Sequence, residues 1–416
     1  MHSVGLITEY NPFHNGHLHH LRESLRRADA EVAVAVMSGH FLQRGEPALF
    51  DKWRRTELAL AAGVDLVLEL PFPWACNSAP HFAKGAVQAL NSLGGVAALC
   101  FGSEAGQLEP LRDCARLLQT HRETIAERTG QLLRQGIGYP AARARVVAGL
   151  SGDDAAAELL ARPNNILGIE YLRALDESGS AIRPLTIERI GAGYHDRQAV
   201  AGIASATGIR HLLRQGAAVA ALLPEKSGAW LNDWLLAGLA ANEDYLLRLV
   251  LARINQGPAS LRPVYQIGAG LENRLVEMAE SAIRYEDLVS GVKSRQLTRT
   301  RIQRVLCYLL NDVRDEQMGG FLESGPLYLH LLGCSRNGER FLSRYRKNFS
   351  VPVVSNYSRI HPQLKRRYGA GAELHRRAVQ MLELELRATR NYTLLTGYRA
   401  WNNRNRDFFE PLRRVA

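Results

Sequence analysis

The chain opens with a short apolar run over residues 4–8, then a polar turn, then Leu18, Leu21 and Leu25 on one helical face. That alternation repeats. Residues 31–37 predict a second strand. Residues 51–62 predict a helix with Asp51 as N-cap and Gly63 as its stop. Residues 66–70 predict a third strand closed by Pro71 and Pro73, residues 80–93 a further helix, and residues 96–101 a fourth strand. Strands separated by helices of about ten to fifteen residues imply a parallel sheet with right-handed crossovers. The expected class is α/β: a Rossmann-like sheet over residues 1–215, followed by a mainly α-helical segment over 216–416.

From residue 110 to 161 the chain turns to Ala, Leu, Arg and Gln, which reads as a helical insertion between the fourth and fifth strands. Pro163 starts another helix, with Asn164 or Asn165 at its cap. Residues 182–190 predict the fifth strand, which runs into the glycine-bearing loop Gly191-Ala-Gly-Tyr-His-Asp196. Pro224 marks the exit from this unit. Residues 230–254 form a long amphipathic pattern. Residues 293–313 carry Lys293, Arg295, Arg299, Arg301 and Arg304 on a Leu-containing helix, either a solvated face or a stripe facing RNA.

Composition narrows the class. With 416 residues, 46% hydrophobic and 22% charged, the chain has the balance of a globular protein of two or three domains. No apolar run approaches the ~20 residues that span a bilayer, and no secretion signal opens the chain. Five cysteines without CxxC spacing read as buried thiols in a reducing compartment, so a cytoplasmic location is expected and no membrane partner. The net charge of +11 is uneven: residues 335–416 hold eighteen Lys or Arg against six Asp or Glu. Such asymmetry suggests a nucleic-acid surface, or else a solvated basic tail. Basic and aromatic residues interleave at Arg344-Tyr-Arg-Lys347, Lys365-Arg-Arg-Tyr368 and Tyr398-Arg-Ala-Trp401, a mixture suited to phosphates and unpaired bases where the rings are exposed, with core packing the default for most of the aromatics.

Polar residues gather where the strands end. Thr8, Glu9, His14 and His17 follow the first strand; Ser38, Gly39, Gln43, Arg44 and Gly45 the second; Glu69, Asn77 and Ser78 the third; Gly102, Ser103 and Glu104 the fourth. Ligands of parallel sheets lie beyond these ends. His14 and His17 face one way from a first helical turn, where backbone N–H groups favour phosphate. Gly16 lets a ligand approach the backbone, and Asn15 is the expected helix cap. Two histidines at this spacing also occur as half a zinc site, but no third ligand is evident nearby.

His14-Asn-Gly-His17 resembles the HxGH signature of the nucleotidylyl transferase superfamily. Ile203-Ala-Ser-Ala-Thr-Gly-Ile-Arg210 is similar to its ISSTxxR motif, with Ala204 replacing the first Ser. No KMSKS-like stretch is present. Within the superfamily the chain looks like the bacterial tRNA(Met) cytidine acetate ligases. The likeness is carried by residues 8–17, 38–47, 68–72, 101–104, 163–168 and 193–196. It implies that ATP and acetate form acetyl-adenylate, and that the acetyl group passes to N4 of the wobble cytidine of elongator tRNA(Met). A cofactor adenylyltransferase or a pantothenate-synthetase-like ligase is the alternative.

The resemblance also implies roles. His14, His17 and Arg210 are the expected catalytic residues. Ile7, Thr8, Glu9, Tyr10, Asn11, Pro12 and Phe13 would bind ATP, continuing through Asn15, Gly16, Leu18, His19 and His20. Gly102, Asn165 and Ile190 would lie around the adenosine. Arg189 would contact adenylate or pyrophosphate. Ser205 and Thr207 would hold the outer phosphates. Mg²⁺ is expected to accompany ATP, with no dedicated protein metal site.

Overall fold

The computed structural model describes residues 1–189, 202–397 and 404–415. Ile190, the loop at 191–196, Tyr398 and Trp401 fall outside that description. Five parallel strands, β1 (Ser3–Thr8), β2 (Val32–Ser38), β3 (Leu66–Leu70), β4 (Ala98–Ser103) and β5 (Arg183–Glu188), lie in the order β5-β4-β1-β2-β3. The order reverses between β1 and β4, and such a switch point opens a crevice at the strand ends.

Strand periodicity explains the layers. On β2, Val32, Val34 and Val36 enter one core; Ala33, Ala35 and Met37 enter the core on the opposite face. The first core continues without a break into the second half of the chain, through Leu246, Leu288, Leu306 and Leu382.

The second half is mainly helical, as the sequence predicts, yet it also completes the sheet. β6 (Leu329–Ser335) pairs antiparallel with β3, and the short β7 (Val353–Val354) and β8 (Arg413–Val415) share its outer edge. The sheet thus draws strands from both sides of position 216. Two other expectations change in detail. The pattern over 230–254 breaks into helices Glu225–Leu236 and Glu243–Ile254, and the basic stretch yields the helix Arg299–Leu310.

Polar contacts fix this join. Lys52, fully buried at the start of the helix Lys52–Ala61, places its Nζ 2.7 Å from Glu69 on β3 and 2.6 Å from Asp407. His330 on β6 donates from Nδ1 to Glu69 at 2.9 Å. Burial alone would lower the Lys52 pKa, but Asp407 and Glu69 outweigh it and hold the ammonium charged. One turn on, Arg55 donates to the carbonyls of Glu9 (2.7 Å), Ser38 (3.0 Å) and Gly39. Gly45 makes a second join. Its φ is +78°, and a Cβ there would stand 2.1 Å from the backbone nitrogen of Arg304. Only glycine lets this loop lie against the helix Arg299–Leu310.

Lys52→Met should leave Glu69 and Asp407 buried without their counter-charge. Breaking a buried pair in this way costs about 3–5 kcal/mol. Urea unfolding should show a loss of that size; no change would mean that the carboxylates are stabilised by other groups.

Candidate active site

A cleft of about 680 Å³ opens at the carboxyl ends of the strands, over the switch point. Its floor is the turn between β1 and the helix Asn15–Ala28. His14, not the expected Asn15, is the N-cap. Its Nδ1 accepts the Gly16 N–H at 3.0 Å, and the His17 Nδ1 accepts the His14 N–H at 3.3 Å. Asn15 instead donates from Nδ2 to the carbonyls of Gly202 and Ala221. With both Nδ1 atoms accepting, each neutral ring carries its proton on Nε2. The rings lie 3.8 Å apart between centroids.

Electrostatics keep these imidazoles neutral. Burial, then Arg189 and Arg210, lower the His14 pKa to about 3. Burial, then His14 and Arg189, hold His17 well below its usual value. Burial and Arg189 bring His20 to about 4. The histidines can therefore offer N–H donors without titrating near neutrality.

The opposite rim is the helix Ala206–Arg214, capped by Ser205, whose Oγ accepts the Gly208 N–H at 3.1 Å. Thr207 sits in the first turn and lines the cleft. Arg210 donates to the Asn11 carbonyl and to Glu46, both at 2.8 Å. The Arg189 side chain lies over Gly102, where a Cβ would be 3.2 Å from its Cγ.

The predicted residues divide. Ile7, Thr8, Glu9, Tyr10, Asn11, His14 and Gly16 line the cleft, with His17, His19 and His20. Gly102, Arg189, Ser205, Thr207 and Arg210 line it as well. Pro12, Phe13, Asn15, Leu18 and Asn165 are not on its wall. Asn165 is buried and uses its Oδ1 on the Ala105 N–H at 3.0 Å. Neither asparagine caps the helix Pro163–Glu177; the Glu104 carboxylate does so, accepting the Asn164 N–H at 3.2 Å and the Asn165 N–H at 2.8 Å.

The structure also brings in residues that the sequence did not point to as cleft groups: Tyr139 and Arg143 from the helical insertion, and Thr298, Thr300 and Arg304 from the second half. Arg304 stood out as part of a basic stripe, but its facing was not readable.

No protein metal cage is present in the cleft among the described residues. Glu9 accepts the Gln43 N–H at 2.8 Å, and Glu46 is paired with Arg210. The one cluster of metal-ligand types among those residues, Glu69, His330 and Asp407, already surrounds the Lys52 ammonium. The donor set thus fits a magnesium ion carried chiefly by nucleotide phosphates.

A parallel-sheet crevice holding HxGH at a helix start defines a nucleotidyl transferase. The family model for HIGH nucleotidyl transferases matches residues 1–407. A Syntrophotalea carbinolica protein named tRNA(Met) cytidine acetate ligase is 58% identical over 411 residues, covering 99% of this chain and 98% of that protein. A Bacillus subtilis protein of the same name is 38% identical over 373 residues, covering 88% of this chain and 89% of that protein. The crystal structure of Thermotoga maritima TmcAL bound with alpha-thio ATP superposes with a TM-score of 0.90 at 31% identity, covering 100% of both chains. The chain belongs to the tRNA(Met) cytidine acetate ligase family of HIGH nucleotidyl transferases.

The histidine pKa values make stability depend on acid. Below about pH 6.5 the unfolded histidines bind protons that folded His14 and His20 refuse until about 3 and 4. Stability should therefore fall as pH drops from 6.5 towards 4. His20→Leu should flatten that slope in equilibrium unfolding; an unchanged slope would refute the neutral assignment.

Proposed function

We propose that this protein is an ATP-dependent ligase that activates acetate as acetyl-adenylate and transfers the acetyl group to N4 of the wobble cytidine of elongator tRNA(Met). The observation that carries this reading is the neutral His14–His17 pair at a helix start, inside a chain that aligns end to end with ligases of that name.

The first step joins an acetate oxygen to the α-phosphorus of ATP and breaks the bond to the β-phosphate oxygen, releasing pyrophosphate. Charge grows on the phosphate oxygens. The Nε2–H groups of His14 and His17 are suited to meet it as preorganised donors that need no protonation. The Ser205–Thr207 helix start and Arg210 suit the departing pyrophosphate. Gly102 and Arg189 border the place proposed for the adenosine. Mg²⁺ supplies further charge neutralisation when it arrives with ATP. In the second step the N4 lone pair of cytidine attacks the acetyl carbon, the bond to AMP breaks, and N4 loses a proton.

The second half supplies a surface for tRNA. On the helix Arg336–Tyr345, Arg336, Arg340 and Arg344 are exposed and follow at four-residue spacing. Lys365, Arg366 and Arg367 are exposed at the end of the helix Ile360–Tyr368. Other members of the basic surplus are already paired: Arg406 with the buried Asp51, and Arg377 with the exposed Glu323. Two of the interleaved aromatics are packed into the fold, as core rings would be. Tyr345 packs over Gly95, and Tyr368 donates to the Leu327 carbonyl at 2.6 Å, so neither presents a free ring.

Acetate-dependent ATP–pyrophosphate exchange tests the first step. His14→Ala and His17→Ala should each lower it about 10²–10³-fold, the usual cost of one preorganised donor; near-normal exchange would remove the phosphate role. For the second step, Arg340→Glu, Arg344→Glu and Lys365→Glu together should lower the salt slope of tRNA binding by about 0.7 for each phosphate that is no longer neutralised. An unchanged slope would place the tRNA elsewhere.

A further inference from the structure

The cleft has a second wall that the nucleotide motifs do not use. The helix Tyr139–Ser151 of the insertion forms one side of it, and the helix Arg299–Leu310 the other. Their approaches touch: a Cβ at Gly138 would lie 3.3 Å from the Arg295 carbonyl oxygen. Tyr139 is 49% exposed at this wall, although it is a large ring facing a cleft. Among the described residues no ring contact or hydrogen bond engages it. In the same cleft, Arg304 reaches the Gln43 carbonyl only at 3.4 Å, and its Nε–H is buried without a partner. An unstacked ring and an undersatisfied guanidinium therefore line the same cavity as the histidine pair.

We propose that this wall is the pocket for the acceptor base, with Tyr139 stacking on the cytosine and Arg304 reading its edge. The proposal rests on the tRNA acetylation reading given above. A base whose exocyclic amine is to be acylated must leave its stack, and proteins hold such bases by aromatic stacking and by hydrogen bonds to the pairing edge. Cytosine presents two acceptors there, O2 and N3, beside the N4 amine. A guanidinium has only donors, arranged as a fork. It can satisfy O2 and N3 while leaving N4 free to reach the acetyl carbon. Uracil carries a hydrogen on N3, which opposes an Arg donor. Arg304 thus selects cytosine by the same contacts that leave the nucleophile unengaged.

The test follows acetyl-adenylate and acetylated tRNA in the same reactions. Tyr139→Ala should lower the ratio of transfer to adenylation about tenfold to a hundredfold, the range for removing one stacking partner of a base. Tyr139→Phe should restore the ratio to within a few-fold. For Arg304, the probe is an otherwise identical tRNA with uridine at the wobble position, used as a competitor. Arg304→Gln, whose amide both donates and accepts, should reduce the preference for cytidine about tenfold. Equal losses in Tyr139→Ala and Tyr139→Phe would overturn the stacking role, as would a parallel fall of both products. Unchanged discrimination in Arg304→Gln would overturn the edge-reading role. Failure of the underlying reading is distinct: the unsubstituted protein would then form acetyl-adenylate but no acetylated tRNA.

Discussion

An ammonium group closed off from water sits where the two halves of this chain meet. Lys52 cannot remain charged there without Glu69 and Asp407, and those carboxylates cannot remain buried without Lys52. The arrangement sets more than stability. The helix that begins at Lys52 also carries Arg55, which holds the carbonyls at the ends of β1 and β2. Glu9 and its neighbours on the cleft floor are thus referred to the same helix that anchors β6 and Asp407. The cleft floor and the second half are both tied to one short helix, through Arg55 and Lys52.

Within that frame the chemistry is arranged to need little from pH. Burial and the nearby guanidiniums keep His14 and His17 uncharged. Their backbone contacts leave Nε2–H as the outward donor. Positive charge is left to Arg189 and Arg210. Arg210 is restrained by Glu46, a contact that orients the guanidinium and offsets its charge. The cleft therefore holds neutral N–H groups and positive charge on different residue types.

Much of this was legible in the sequence because it is local. β1 to β5 and their helices follow from periodicity, and the turns that line the cleft follow from short local motifs. What was not legible depends on distant partners. β6 exists because Leu329–Ser335 finds the open edge of β3. Asn15 looked like the cap by residue preference, but the His14 ring reached the Gly16 N–H first. Asn164 and Asn165 were displaced as caps by Glu104, about sixty positions away in the chain. Arg304 belonged to a visible basic stripe, but its place on the cleft wall, beside the close approach of Gly45 to its backbone, depends on that distant loop.

The lysine cluster also has a meaning in time. Asp407 follows Lys52 by 355 residues, and His330 follows Glu69 by 261. At about 5–20 residues per second, a ribosome delivers Asp407 roughly 20–70 s after Lys52. Through that interval the nascent sheet holds Lys52 and Glu69 without the groups that complete their burial. The edge of β3 also waits for its antiparallel neighbour. The lining of the cleft, which includes Thr298, Thr300 and Arg304, is likewise complete only after that part of the second half has been made.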